Sequence, residues 1–291
     1  MSSLAQTQPA LAAASLPKAT AEPAWVKWTL VTVALTFLTL FLVLPLSVVL
    51  YGAFELGVKV WWDAITEPDA LAAIRLTLFV LVIVVPLNAI FGIAIAWAIA
   101  KFEFKGKTLL ISIIDMPFAI SPVVVGLIFV ILFGSQGWLG PWLSAHDIKI
   151  VFAVPGIIIV ILFGTLPFVA RELIPLMQQQ GKEEEEASLT LGASGWKTFW
   201  YVTLPNIKWG LIYGVVLCNA RAMGEFGAVA IVSGRIRGET NTMPLHIEVL
   251  YNEYMFTAAF AVSSLLTGLA LVTIVIKSWV EYKDERRHKT A

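Results

Sequence analysis

Three ionisable residues interrupt otherwise apolar runs of this sequence: Asp115 within Leu109–Phe133, and Arg221 with Glu225 within Trp209–Gly234. Arg221 and Glu225 are four residues apart, so on a helix they share one face and can pair. A guanidinium is a permanent cation carrying five N–H donors. Two chemistries are open to the pair: an internal staple between packed helices, or a positive face turned toward an anion. Asp115 lies two residues before Pro117, where a packing or capping role at a helix break is expected. Gly224 and Gly227 allow close helix approach under either reading.

Catalytic constellations are missing. Gly106-Lys107-Thr108 ends like a phosphate-binding loop, but the first glycine of that motif falls at position 101, which is Lys. Neither HExxH nor GxSxG occurs. The single cysteine, Cys218, excludes an internal disulfide framework and any multi-cysteine metal site, and it reads as a small buried hydrophobe. His146, His246 and His288 share no ligand spacing. The chain is therefore expected to be no enzyme and to hold no catalytic residue, metal or cofactor of its own.

The elements that must carry these residues follow from composition. Apolar residues make up 58% of the 291, charged residues 14%, and mean hydropathy is +0.83, against a globular norm of roughly 45–50% apolar. The 20 basic and 20 acidic residues cancel, which gives no hint of a nucleic-acid partner. About 20 apolar residues cross the hydrocarbon core as a helix. Six runs of that length are expected as spans, at about 28–51, 76–100, 109–133, 150–170, 209–234 and 254–276. The fold class is all-α, a polytopic membrane bundle in contact with lipid. With the N-terminus inside, fourteen Lys and Arg fall in cytoplasmic segments and five outside, so both termini are expected in the cytoplasm. Residues 1–24, rich in Ala, Ser, Pro, Thr and Gln, read as a disordered tail, residues 25–280 as the transmembrane domain, and 281–291 as a C-terminal tail. A cleaved signal peptide fits poorly, because no basic region opens the chain and the first apolar run is too long. On this placing Arg221 lies about 20 Å from the inner boundary, at 1.5 Å per residue.

One cytoplasmic loop, 171–208, is too long for a bare connection. Its acidic run Glu183–Glu186 suits the first turn of a helix. Gly192 or Gly195 can end that helix by turning left-handed, and a second short helix, with Trp196, Phe199 and Trp200 near one face, is expected to run to Pro205. An amphipathic hairpin lying on lipid explains the aromatics, but four carboxylates suit an anionic membrane face poorly. A docking element for a soluble partner fits better.

The spacing Glu186-Ala187, Gly192, Leu204-Pro205 resembles the coupling signature of bacterial ABC importer permeases, which reads Glu-Ala-Ala, three residues, Gly, nine residues, Ile, one residue, Leu-Pro. Ser188 and Val202 depart from it conservatively. Ala220-Arg221-Ala222-Met223-Gly224-Glu225-Phe226-Gly227-Ala228 is similar to a segment of sulfate/thiosulfate and molybdate permeases. The stretches Asp115–Pro122, Pro167–Pro175, Arg237–Thr240 and Met243–Glu248 resemble the W-type permease subunits of sulfate/thiosulfate importers. The likeness runs from about Trp28 to Trp279. It implies a type I importer permease forming half of a translocation path in a bacterial inner membrane. It also implies a second, T-type permease, a periplasmic sulfate-binding protein and a cytoplasmic ATPase dimer that binds ATP and magnesium. In that family the loop docks in a cleft of the ATPase, which gives Glu186, Ala187, Gly192, Leu204 and Pro205 a coupling role. Import of molybdate or another oxyanion is the alternative. A secondary anion transporter or channel fits less well, because inverted repeats are not visible, and a membrane scaffold has no need of a docking loop.

Overall fold

A computed structural model describes residues 24–288. The expected tail at 1–24 lies, but for Ala24, outside the described residues. The chain forms two compact units divided between Val48 and Val49.

The first unit holds α1 (Ala24–Leu38), a π-type turn at Thr39–Val43 and the start of α2 (Leu44–Phe54). No residue of α1 is buried. A helix this evenly apolar around its circumference has the character of a membrane span. The wide turn has a local cause. Pro45 has no N–H to give the fourth residue back, and its ring crowds that carbonyl. The preceding Leu44 N–H bonds Thr39 O, five residues back, which opens the turn just ahead of the ring.

The second unit continues with α3 (Val58–Thr66), α4 (Pro68–Lys101), α5 (Lys107–Ala119), α6 (Pro122–Phe133), α7 (Gly140–Ala145) and α8 (Val154–Gln180). It ends with α9 (Glu183–Thr190), α10 (Gly195–Thr198), a second π-type turn at Phe199–Thr203, α11 (Leu204–Met223), α12 (Gly227–Val232), α13 (Met243–Asn252) and α14 (Phe256–His288). Its core lies where α4, α8 and α11 meet. Val84, Ile157, Val160, Val229 and Leu245 fill one cluster, and Val169, Leu173, Met177, Ile207 and Cys218 another. Lipid tails are as apolar as these side chains, so close packing and hydrogen bonds must hold the helices together. At Gly92 of α4 a Cβ would stand 2.6 Å from Val169 of α8, leaving no room for any side chain. Asn88 Nδ2 of α4 donates to Thr165 Oγ1 of α8 at 2.7 Å and lies 3.4 Å from Cys218 Sγ of α11. Cys218 is thus buried, as expected, and sits at a three-helix contact.

Among the described residues, four helices are long and apolar enough to cross a membrane: Ala24–Phe54, Pro68–Lys101, Val154–Gln180 and Phe256–Trp279. The expected third and fifth spans are not straight helices. Residues 109–133 divide into α5 and α6, bent by 112°. Ile120 and Ser121 are extended ahead of Pro122, which disfavours helix in the residue before it; the break therefore falls there and not at Pro117. Residues 209–234 divide at Gly224–Phe226 into α11 and the six-residue α12, and α11 carries Asn206, Lys208, Asn219 and Arg221. The expected loop 171–208 also shrinks. Helix α8 continues to Gln180 through Pro167 and Pro175, so Arg171 lies inside it, and α11 starts at Leu204. Residues 281–288, expected as tail, continue α14.

Candidate functional site

The α9–α10 hairpin is built from short-range rules. Four glutamates occupy the first turn of α9, where the helix dipole favours negative charge. Gly192 closes the helix at φ +88°, a left-handed conformation that costs glycine nothing. Gly195 does not turn left-handed; it opens α10, where Ser194 Oγ accepts from the Lys197 N–H at 3.4 Å. The second helix does not end at Pro205. The turn at Phe199–Thr203 widens, Leu204 N–H bonds Phe199 O, and the helix passes the proline into α11, with the same spacing of wide turn and proline as at Pro45.

Side chains lock this hairpin to the bundle. Lys101 Nζ, at the end of α4, lies 3.2 Å from Glu185 Oε1, with side chains only 5% and 17% exposed. Thr203 Oγ1 donates to the same oxygen at 2.8 Å. Lys101 also donates to Gly181 O, and Asn206 Nδ2 to Glu184 Oε2. The Ser188 and Thr198 hydroxyls meet at 3.0 Å, and Phe199 stacks on Trp97 of α4. Glu186, Ala187, Gly192 and Pro205 are exposed, while Leu204 is half-buried against the second core cluster. The outer surface is apolar as well as acidic: Leu191, Trp196 and Tyr201 are 89%, 70% and 81% exposed. Sequence reasoning missed Lys101, Glu185 and Thr203. The available signal was one lysine closing a 25-residue uncharged run.

Arg221 and Glu225 do meet. Arg221 Nη1 lies 2.7 Å from Glu225 Oε2, but Arg221 is in the last turn of α11 and Glu225 in the link beyond it. Glu225 Oε1 accepts from the Ala228 N–H at 3.4 Å, in the first turn of α12. The Glu225 side chain is 3% exposed and that of Arg221 39%. Around them Pro117, Pro122, Val160 and Gly164 line a cavity of about 20 Å³. Of the two glycines expected at close contacts, Gly227 qualifies, with a Cβ 3.1 Å from Pro122, whereas Gly224 faces open space. At Gly126 of α6 a Cβ would stand 2.8 Å from Ala228 O of α12, so these two short helices cross backbone to backbone.

Asp115 is neither a cap nor a simple packing group. Its carboxylate takes Arg171 Nε at 2.8 Å and Nη2 at 3.1 Å, and the guanidinium sits 5.2 Å from the centre of the Phe118 ring. Beyond α12, Arg235 pairs with Glu248 at 3.1 Å and Arg237 with Glu253. Those two arginines are neutralised by α13 and the residue after it. Burial lowers the pKa of the His246 imidazole in α13, against the opposing pull of Asp69 and Glu67.

An all-α bundle with broken helices, a locked acidic hairpin and an internal ion pair defines a class. The chain belongs to the family of binding-protein-dependent transport system inner membrane components, whose pattern matches residues 89–288. It is a multi-pass membrane protein and a transport permease subunit by family. Among its relatives is the sulfate transport system permease protein CysW of Synechocystis sp., 50% identical over 258 residues, covering 89% of this chain and 94% of the relative. CysW of Escherichia coli (strain K12) is 46% identical over 267 residues, 92% of each. In fold the chain is similar to one in the crystal structure of a bacterial alginate ABC transporter in complex with an alginate pentasaccharide-bound periplasmic protein, at TM-score 0.72, 17% identity and coverage of 90% and 94%.

Proposed function

We propose that this chain is the W-type permease subunit of an ATP-driven importer of sulfate or thiosulfate, with both termini and the α9–α10 hairpin in the cytoplasm. The sulfate transport role of the CysW relatives supports the substrate class. The observation that carries the mechanism is the asymmetry of the central pair, an Arg221 side chain two-fifths exposed beside a Glu225 side chain almost wholly buried. A buried carboxylate fixes the cation in place without occupying its outward donors, so the positive face stays available to an oxyanion.

The hairpin supplies the drive. ATP and magnesium belong to a cytoplasmic ATPase dimer, whose closure moves the exposed surface formed by Glu186, Ala187 and Gly192. The Lys101–Glu185–Thr203 lock passes that motion to α4 and α11, with Leu204 and Pro205 at the root of α11. A T-type permease completes the path, and a periplasmic sulfate-binding protein delivers the anion.

Co-expression with candidate ATPase and T-type partners, purification and sulfate uptake in proteoliposomes test the reading. A stable complex with uptake driven by ATP is expected. The Glu186→Lys variant is expected to insert but to recruit less ATPase. In a Cys218→Ser background, Glu183→Cys is expected to resist an impermeant thiol reagent on intact cells and Arg237→Cys to react. Uptake without any ATPase, or labelling of Glu183→Cys alone, overturns it.

A further inference from the structure

Arg171 and Asp115 form the second ion pair inside apolar helices, and it lies in register with the first. On α8, Gly164 is 4.0 Å from Glu225 Oε2, measured from the Cβ it lacks. Arg171 follows seven residues later, two turns along the same face. The rise of 1.5 Å per residue sets the two levels about 10 Å apart. Asp115 is eight residues into α5 and Arg171 nine from the end of α8. Both helices thus bring the pair to one depth, about 12–14 Å from their hairpin-side ends.

Between the levels stand two aromatic rings. Phe118, one turn from Asp115, and Phe168, one turn from Arg171, meet edge to face with centroids 5.3 Å apart. Below them Asp115, Arg171, Ile111, Ile114 and Pro175 line an open cleft of about 350 Å³. Arg171 is 56% exposed and Asp115 36%, and as at the first pair the cation is the more open member. An exposed Arg–Asp pair is costly against hydrocarbon, so water or protein covers this face. Glu172, the next residue, has its Cβ 3.4 Å from where a Cβ would stand on Gly214 of α11.

We propose that Arg171 is a second oxyanion-binding residue, one stage nearer the hairpin end than Arg221, with the Phe118–Phe168 contact as the apolar step between the stages. The inference rests on the oxyanion-import reading above. Asp115 engages Nε and one Nη2 hydrogen, which leaves Nη1 to receive a tetrahedral dianion. Each stage is neutral as a pair, so it holds an anion only weakly and lets it leave, as passage through a series of sites requires.

The test uses the assembled importer in proteoliposomes and reads sulfate uptake per ATP hydrolysed at matched complex content. Removing both charges with Arg171→Gln and Asp115→Asn is expected to lower that ratio at least tenfold, and Arg171→Lys to recover most of it. Arg171→Cys with Asp115→Asn and Cys218→Ser is expected to react with a cationic methanethiosulfonate from the hairpin side and regain uptake, whereas a neutral reagent of equal size gives no gain. A wild-type ratio in the charge-free variant, equal rescue by both reagents, failure of the thiol to react, or loss of assembly each overturns the Arg171 site. Absence of sulfate uptake by the unmodified importer overturns the import reading instead.

Discussion

Replacing Lys101 with Met probes the lock at the base of the hairpin. The two side chains are of similar length and both suit a helix, so the change removes a charge with little change of shape. Glu185 is left with a side chain only 17% exposed and no cation. Taking one partner from a buried pair costs about 3–5 kcal/mol. Glu185 keeps the Thr203 hydroxyl and some water, which brings the expected cost to about 2–3 kcal/mol. At 1.36 kcal/mol per tenfold, hairpin opening becomes roughly 30–160-fold more frequent. Hydrogen exchange at residues 183–203 in the purified protein reads that number directly. Adding Glu185→Leu removes the stranded charge and is expected to restore most of the protection. Exchange in Lys101→Met within twofold of wild type would show that the ion pair does not hold the hairpin.

Gly192→Val places a β-branched residue at φ +88° with open space around it; strain of about 1–3 kcal/mol is expected to reduce ATPase co-purification, while Gly192→Asn is tolerated. Gly92→Leu drives atoms into Val169 and the α8 backbone, so a thermal-stability assay in detergent is expected to register a loss of at least about 1–3 kcal/mol. Exchanging the central charges, Arg221→Glu with Glu225→Arg, separates a staple from an anion path: yield recovers in both cases, but uptake per folded molecule stays low only for the path. His246 has a folded pKa below its ordinary 6.5, so the unfolded chain binds the extra proton first. Stability is then full above about pH 6.5 and declines as pH falls below it, and a denaturation series on His246→Gln is expected to lose that slope.

The long apolar helices were legible because twenty uncharged residues leave one option in lipid. The breaks were less legible. Hydropathy averages across Ile120-Ser121-Pro122 and Gly224-Glu225-Phe226, whereas helix termination depends on single residues there. A charge next to an uncharged run suggests the membrane edge, yet α8 carries Arg171 as an interior residue paired to Asp115. The hairpin was readable from Glu183–Glu186 and Gly192, whose effects are local. Its anchor was not, since Lys101 and Glu185 are 84 positions apart in sequence and only packing brings them together.

The helix that passes Pro205 without breaking has a mechanical consequence. From Gly195 to Met223 it is a single lever about 43 Å long. It bears on α8 through Ile207, Gly210 and Gly214, where backbone and side chains leave no slack. Taking Gly210 as the fulcrum, the arm to Trp196 measures about 21 Å and the arm to Arg221 about 16 Å. A push of 4 Å on the hairpin would therefore carry Arg221 about 3 Å, on these arm lengths and in the opposite direction. The central cation then swings sideways across the bundle in one direction as the hairpin end is driven in the other.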